Sequence, residues 1–309
     1  MLSETQKFDD IVFHAAALNG WSQHYDQLTP GEFRGFLQDV QLPSMRIFRE
    51  YMNCSVVQHT MAPKNTFNLI IPIRGTQDTK LSNHTLRPDC FTLIPSSAEF
   101  FLCTQGETDY VVISLDESFL EKMLVPEDFD TFLKYPKGYS LRCDESALCA
   151  LQSLCKHVLD DRTPDLAGNL KGRVQALFRD EVINYLLQGM DVAGQRSRIR
   201  NLESNHHYLV RYCHDRILNE KGQISILTLC NELRIPRRTL AYAFERVTGV
   251  SPNNYLRAVR LNAADRGLRD SPDWALTDIA HHYGFTHSSH FGREYRKLFG
   301  KRPSDHRKW

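Results

Sequence analysis

The spacing of apolar residues changes its period part-way along the chain. From about Phe33 to Met61, apolar residues recur at roughly every second position, and further short apolar segments, separated by Gly and Pro, follow as far as Leu115. A period of two is typical of β-strands. Beyond Ser118 the apolar residues recur three and four positions apart, which predicts amphipathic helices. The pattern therefore predicts an α+β protein, with strands in the first part and helices in the second.

The strand region divides into many short segments at about ten-residue spacing, which favours a compact β-barrel or sandwich. The predicted strands lie within 33–61 and at 67–73, 91–94, 99–103 and 110–115. The residues before them, 14–32, are predicted to form a loop-rich entry around Pro30 and Gly31. Helices are predicted next at 119–124, 144–160 and 168–189.

One of these helices, 168–189, carries a long apolar stripe. The stripe has two interpretations: it packs on the barrel as core, or part of it forms a contact between two copies of the chain. The second interpretation makes a homodimer the expected state. The stripe consists of Leu170, Val174, Leu177, Phe178, Val182, Tyr185 and Leu186.

The last third of the chain contains the same pattern twice. The first copy spans 227–252 and the second spans 276–303. At an offset of 51 residues, apolar and turn residues of the two copies coincide: Leu240 with Phe291, Phe244 with Tyr295, Val247 with Leu298, Gly249 with Gly300, and Pro252 with Pro303.

Each copy predicts a helix-turn-helix unit. A short helix is followed by a turn and then by a second helix that Gly and Pro terminate. Ser225 is placed to cap the opening helix of the first unit, and 252–268 is predicted to be one helix that joins the units. Two such units can place two reading helices in successive major grooves, about 34 Å apart.

Charge is distributed unevenly between the two parts. Residues 205–309 contain 18 Lys and Arg against 10 Asp and Glu, whereas residues 1–204 contain 20 and 27. A basic module on an acidic body is typical of DNA binding. The polar, arginine-containing stretch 191–204 predicts a linker. The predicted organisation is a ligand-sensing and dimerisation domain at 1–190, the linker, and a DNA-binding domain at 205–309.

The second helix of each unit supplies the candidate DNA contacts, because Arg can bond guanine in a bidentate manner and Lys or Arg can neutralise phosphates. The alternative is a solvated basic face. Candidate base readers are Arg237, Arg238, Ala241, Tyr242, Ser288, Ser289, Gly292 and Arg293, and candidate phosphate contacts are Arg246, Arg296, Lys297, Lys301 and Arg302.

The motif YGF…S.FGR.YRK.FG..PS..R, at 283–307, resembles the DNA-binding domain of AraC-type transcription regulators. That resemblance covers about the last 100 residues. It implies a cupin-like ligand domain before the DNA-binding domain, and double-stranded DNA as the partner. Ala275 stands where the family often has a capping Ser or Thr. The segment WSQHYDQLTPGEFRGFLQDV, at 21–40, resembles AraC-type activators of ethanolamine-utilisation operons, which implies a small amine as effector.

A ligand pocket is expected inside the barrel, where apolar walls and a few polar groups meet. The alternative for each aromatic residue is ordinary core packing. The candidate lining residues are Trp21, Tyr25, Arg46, Phe48, Phe67, Arg74 and Phe101, with Gln58 and Asn68 as further polar groups.

Enzyme chemistry is not expected. His59 and His84 stand apart without the paired histidines of a metal-binding cupin, and no phosphate loop or nucleophile motif occurs. We therefore expect no catalytic residue, metal or cofactor. No apolar run is long enough for a membrane span, so a cytoplasmic regulator is expected. Two function classes remain: a ligand-responsive activator, or an effector-independent DNA-binding protein whose first domain only dimerises or recruits RNA polymerase.

Overall fold

The computed structural model describes residues 4–75, 78–82, 84–134, 139–142, 145–159, 168–195 and 205–308. It is an α+β protein, as the change of period predicted. We refer to residues 4–195 as the N-terminal part and to residues 205–308 as the C-terminal part. The strands, in chain order, are β1 Glu4–Phe8, β2 Ser22–Gln27, β3 Gly35–Leu42, β4 Met45–Met52, β5 Val56–Met61, β6 Thr66–Arg74, β7 Lys80–Leu81, β8 His84–Thr85, β9 Cys90–Ile94, β10 Glu99–Cys103, β11 Thr108–Asp116 and β12 Tyr139–Arg142.

Two antiparallel sheets form a sandwich. The larger sheet has the order β1-β3-β4-β11-β6-β9-β12, and the smaller has the order β2-β5-β10-β7-β8. The predicted strands at 67–73, 91–94, 99–103 and 110–115 are all present within one or two residues. The stretch 14–32 is more regular than the predicted loop-rich entry, because it contains β2 and the end of a helix. The sequence of β2, SQHYDQ, is mostly polar and lacks the alternation of apolar residues by which strands are recognised.

The larger sheet is buried on both faces. On β4, Ile47 packs against the helices of the N-terminal part, while the next residue, Phe48, points between the two sheets. The smaller sheet is likewise covered on its outer side, where Val57 and Phe101 pack against the C-terminal part. The described residues therefore form three apolar cores, and a single strand such as β4 carries apolar residues on both of its faces.

Among the described residues of the N-terminal part, five helices accompany the sandwich: α1 Ile11–Ala16, α2 Glu117–Met123, α3 Pro126–Lys134, α4 Glu145–Leu159 and α5 Gly168–Gln195. On α5, Phe178 and Val182 are 3% and 1% exposed and lie in the core against the larger sheet. The interpretation of these two residues as a dimer contact is therefore wrong. Leu177 is 65% exposed and is the stripe residue that a partner could reach. Leu170 and Val174 lie outside the residues whose side chains are described.

The C-terminal part is entirely helical: α6 Asn205–Asn219, α7 Ile226–Leu233, α8 Arg237–Thr248, α9 Pro252–Asp270, α10 Leu276–His282, α11 Ser288–Phe299 and a short 3-10 helix Pro303–Lys308. Helix α5 continues to Gln195, so the first residues of the predicted linker are helical, and 196–204 lie outside the described residues. Within the described part of the chain, no helix combines the length and apolarity that a membrane crossing requires.

Candidate nucleic-acid interface

The first helix-turn-helix unit consists of α7 and α8. Ser225 caps α7 as predicted: its hydroxyl accepts a hydrogen bond from the backbone N–H of Thr228 at 3.0 Å. Arg234 ends α7 in the left-handed conformation, with φ of 53°, and so turns the chain sharply toward α8. Pro236 stands at the N-cap of α8, where the absence of a backbone N–H costs little.

The second helix of this unit, α8, has one buried face and one exposed face. Leu240, Phe244 and Val247 are buried in the core of the C-terminal part, as the repeat predicted. The candidate contacts Arg237, Arg238, Tyr242 and Arg246 are exposed, and Ala241 is half-buried beside them. Basic and aromatic side chains thus share the solvent-exposed face of α8, where a DNA duplex could reach them.

The second unit consists of α10 and α11. Ala275 occupies the N-cap of α10 and makes no side-chain capping bond, which agrees with the missing Ser or Thr. Phe291, Tyr295 and Leu298 of α11 are buried at the positions equivalent to the apolar face of α8. The predicted DNA face of α11 points outward: Ser288, Ser289, Arg293, Arg296 and Lys297 are exposed, and Gly292 has open space where a side chain would stand.

An open cleft of about 910 Å³ lies along the exposed face of α11. Its walls come from the start of α10, from α11 and from the segment after α11. Arg293 is accessible here, with 72% of its side chain exposed. Seven of the predicted contacts line this one cleft, in the company of Leu276, Thr277, Phe291, Pro303 and Ser304: Ser288, Ser289, Gly292, Arg293, Arg296, Lys297 and Arg302.

Helix α9 joins the two units and is buried along most of its length. Tyr255 packs on Phe244 of the first unit, with ring centroids 4.9 Å apart. Toward its other end, Asp265 accepts a hydrogen bond from the hydroxyl of Tyr295 in the second unit. Because one continuous helix contacts the core of both units, α9 fixes their relative position, as predicted for 252–268.

The N-terminal part contacts the side of α9 that the reading helices leave free. Gln27 of β2 and Asn262 of α9 exchange two hydrogen bonds of 3.0 and 2.9 Å between backbone and side-chain groups. Arg266 pairs with the fully buried carboxylate of Asp26 at 2.8 Å. Burial alone would raise the pKa of Asp26, but Arg266 and His24 outweigh it and hold that pKa below its ordinary value. Asp26 is therefore ionised, and a buried ion pair connects the two parts.

A second ionic contact involves a predicted DNA residue. Asp10, the N-cap of α1, accepts hydrogen bonds from Arg269 at 2.5 Å and from Lys301 at 3.0 Å. Lys301 thus has a carboxylate partner in this structure, whereas the other predicted phosphate contacts point into solvent. Its contact with DNA phosphate stays a prediction, and that contact would require Lys301 to leave Asp10.

Both reading helices end against the N-terminal part in the same way. Gly249 and Gly300 end α8 and α11 in the left-handed region, with φ of 71° and 75°. A β-carbon at Gly249 would lie 2.9 Å from the side chain of Gln105, and one at Gly300 would lie 2.6 Å from that of Glu32. The two equivalent turns therefore touch two loops of the N-terminal part, while the exposed faces of α8 and α11 stay accessible.

The predicted ligand-pocket residues separate into two groups. Trp21 bridges the two sheets, because its ring lies 5.6 Å from that of Phe48 on β4 and 6.2 Å from that of Phe100 on β10. Arg46 reaches the same region, with its guanidinium 5.9 Å from the Phe48 ring and paired to Asp39 at 2.6 Å. These residues are brought together as expected.

Three buried polar atoms mark this region as more than an apolar core. The indole N–H of Trp21 and the hydroxyls of Thr60 and Ser114 have no hydrogen-bond partner among the described residues. Thr60 stands opposite Phe100 in the strand register, and Ser114 stands opposite Arg46. Since buried polar groups are almost always paired, these three atoms distinguish this region from a purely apolar core.

The remaining aromatic candidates lie elsewhere. Phe67 faces the helices on the outer side of the larger sheet, and Phe101 faces the C-terminal part, where it packs 5.1 Å from the His214 ring. Arg74 is at the surface, paired with Glu107. Their inclusion in a barrel pocket was wrong, because each side chain points out of the sandwich rather than into it. Asn68 donates to the backbone of Ile94 within the sandwich.

The sequence analysis missed a buried carboxylate in the interior. Glu50 is 2% exposed and accepts hydrogen bonds from the hydroxyls of Tyr25, at 2.9 Å, and Tyr110. Burial and the Glu50 charge raise the pKa of both tyrosines well above the ordinary value, so both remain donors. His14 lies 2.9 Å from Glu50, and Gln58 donates to Tyr110 at 3.2 Å. Glu50 lies two residues from Phe48 and two from Met52 on β4, so the three side chains share one face of the strand. This spacing was the available signal for the inward position of Glu50.

Residues 229–308 match the family described as a helix-turn-helix domain. The chain is 36% identical over 85 residues to the HTH-type transcriptional activator RhaS of Pectobacterium carotovorum subsp. carotovorum, covering 28% of this chain and 30% of that protein. It is 34% identical over 101 residues to XylDLEGF operon transcriptional activator 2 of Pseudomonas putida, covering 30% of this chain and 64% of that protein. The chain thus spans less than two thirds of these relatives. The structure of ToxT from Vibrio cholerae is similar at 13% identity and a TM-score of 0.30, covering 93% of this chain and 97% of that one.

The C-terminal part therefore contains a helix-turn-helix domain of the matched family. The family match begins within α7 and ends after α11, so it includes both reading helices. The two units found as a repeat in the sequence are the two units of this domain. The sandwich before it lies outside the matched residues.

Proposed function

We propose that this protein is a sequence-specific DNA-binding transcription activator. The observation that carries the proposal is the pair of helix-turn-helix units on one shared helix, each with an exposed reading face. Arg238 on α8 and Arg293 on α11 are placed to read base edges, each contact being worth about 1–3 kcal/mol of discrimination. Arg246, Arg296, Lys297 and Arg302 position the duplex through its phosphates.

The sign of regulation follows from the relatives, since RhaS and the XylDLEGF proteins are named activators. Activation requires a productive contact with RNA polymerase, which we propose as the second partner. Because it acts on DNA, we propose that the protein works in the cytoplasm. The regulated genes are, on this proposal, a catabolic operon.

We further propose that the activator responds to a small molecule bound between the two sheets. The unpaired polar atoms of Trp21, Thr60 and Ser114 support a polar ligand there. The buried carboxylate of Glu50 and its aromatic neighbours suit a cationic amine, because carboxylates and aromatic faces both attract cations. Ethanolamine or a related small amine is the effector that the segment 21–40 suggests.

Signal transfer from such a site has a physical route. Tyr25 of β2 donates to Glu50 inside the sandwich, and the next residue, Asp26, pairs with Arg266 of α9 outside it. On α1, His14 reaches Glu50 while Asp10 holds Arg269 and Lys301. A ligand that shifts β2 or α1 therefore shifts contacts with the DNA-binding helices.

A homodimer remains part of the proposal. Because Phe178 and Val182 are core, the contact would use outward residues of the helical layer such as Leu177. Two copies would bring two double-reader modules onto one operator, and tethering would raise the effective concentration of the second module.

Two experiments test the proposal on the full chain. Binding to a genomic fragment library is followed across salt concentration. A subset of fragments should bind selectively, with an affinity that falls steeply as salt rises, and Arg238→Ala and Arg293→Ala should weaken binding to those fragments relative to the others. Thermal unfolding is followed across a panel of small amines and amino acids, where a true ligand at 100 times its Kd adds about 2.7 kcal/mol. DNA binding without stabilisation by any small molecule would favour the effector-independent regulator. Absence of sequence-selective binding would reject the proposal.

A further inference from the structure

Tyr242 is flanked by two side chains on the exposed face of α8. His206, in the first turn of α6, approaches the Tyr242 ring with a centroid separation of 5.2 Å and an angle of 75°. Arg246, one helical turn further along α8, has its guanidinium carbon 6.0 Å from the centre of the same ring. Although 53% of Tyr242 is exposed, the contacts with His206 and Arg246 restrict the directions that its ring can take.

The backbone that presents His206 is itself held in place. The next residue, His207, is 4% exposed and packs with its ring 5.9 Å from Phe101 of the smaller sheet. One helical turn later, Val210 is fully buried in the core of the C-terminal part. The first turn of α6 is therefore anchored on both sides, and His206 meets Tyr242 from a fixed position.

Building on the proposed function, we propose that His206 is a positioning residue for base reading by Tyr242. The imidazole holds the tyrosine ring in one orientation, so that its hydroxyl and ring edge meet one base pair of the operator. A side chain that is already oriented loses less conformational freedom when DNA binds. An edge-to-face aromatic pair supplies the orienting interaction. His206 acts through Tyr242, and it sets preference at one base pair rather than overall affinity.

The test is selection of bound sequences from a random DNA pool with the full chain and five variants. Tyr242→Ala identifies the base pair that the tyrosine reads. His206→Ala should lower the preference at that same base pair by about two- to tenfold, the range expected for one aromatic pair, and leave other positions unchanged. His206→Phe should retain the preference, because a ring without charge can pack in the same place.

Tyr208→Ala is the matched control on the same helix. Tyr208 is 64% exposed and packs near Tyr212 rather than on the reading helix, so its removal should leave the preference unchanged. In a Tyr242→Ala background, His206→Ala should have no further effect. If His206→Ala loses helical circular dichroism, His206→Gln replaces it, with the same loss expected.

Two kinds of result would overturn the inference alone, and a third would refute the proposed function on which it rests. Equal weakening on all sequences with a shallower salt dependence would make His206 a phosphate contact. An unchanged preference in His206→Ala, or in Tyr242→Ala, would remove the positioning role while the other DNA readers stand. A wild-type chain that selects no sequence would instead refute the proposed function.

Discussion

Removal of Arg266 should cost far more stability than removal of an exposed arginine that also joins the two parts of the chain. Arg266 pairs with Asp26 at 2.8 Å, with the two side chains 20% and 0% exposed. Loss of the arginine leaves an ionised carboxylate buried without its main partner. Breaking a buried pair in this way typically costs about 3–5 kcal/mol.

Two features of the site reduce that figure. The guanidinium is partly exposed, so water already screens some of the interaction. His24 lies 3.6 Å from Asp26 and can replace part of the lost charge. We therefore expect Arg266→Ala to lower the free energy of unfolding by about 2–4 kcal/mol.

Arg211→Ala is the matched control. Arg211 of α6 lies 3.7 Å from Glu99 of β10, and both side chains are about half exposed, at 51% and 49%. An exposed pair of this kind contributes about 0–1 kcal/mol. Both arginines join the C-terminal part to the smaller sheet, so burial is the main difference between them.

Urea unfolding of the full chain at pH 7 measures both variants. A third variant, the double substitution Asp26→Asn with Arg266→Gln, removes both charges and should recover part of the loss. If Arg266→Ala and Arg211→Ala lowered stability equally, the buried ion pair would not be what joins the two parts.

Three further predictions follow from particular side chains. Arg238→Ala should weaken specific binding by about 1–3 kcal/mol and relax the preference at one base pair in sequence selection. An unchanged preference would show that α8 does not read bases. Burial lowers the pKa of His214 to about 4, although Asp26 opposes the shift. Because the pKa of His214 is lower in the folded protein than in the unfolded chain, the unfolded chain binds more protons between pH 6.5 and 4. The free energy of unfolding is therefore at its full value above pH 6.5 and decreases as the pH falls toward 4. Urea unfolding should show a loss of up to about 3 kcal/mol from this group, and His214→Gln should remove that slope; an equal slope in the variant would contradict the assignment. Phe178→Glu should unfold the N-terminal part, whereas Leu177→Glu should keep the circular dichroism of the wild type; a folded, monomeric Phe178→Glu protein would restore the dimer interpretation of that residue.

The C-terminal part could be predicted from the sequence because its two units repeat. The equivalence of Leu240 with Phe291, and of Gly249 with Gly300, defined the buried faces and the ends of both reading helices. Ser225 was identified as a cap from its position alone. A helix with one face exposed to solvent has a clear contrast between apolar and polar positions. The spacing of three and four residues between apolar positions then predicts which side chains are buried and which are exposed.

The sandwich could not be predicted to the same depth, because both faces of its sheets are covered. Leu69 and Ile70 are neighbours on β6 and are both buried, one toward the helices and one between the sheets. A period of two does not distinguish these faces when each is apolar. Phe67 and Phe101 were assigned to the pocket for that reason, although their side chains point outward.

Contacts between distant segments were also beyond the sequence pattern. Three polar residues of the N-terminal part lie in segments without a recognisable sequence motif, namely Asp10, Asp26 and Gln27. Their partners lie more than 200 positions away, on α9 and after α11. Leu28, Val57 and Phe101 complete the core of the C-terminal part from outside it. Separation of the C-terminal part from the sandwich would therefore expose the apolar surface that these residues cover.

In the proposed function, two helix-turn-helix units of one chain read two successive turns of a duplex. Hydroxyl-radical and methylation footprinting of a selected DNA fragment tests this arrangement. We expect two clusters of protected major-groove positions on one face, about 10 base pairs apart for each bound chain. Arg238→Ala should remove protection within one cluster, and Arg293→Ala should remove it within the other. A single cluster, or loss of both clusters from either substitution alone, would show that the two units do not read successive turns.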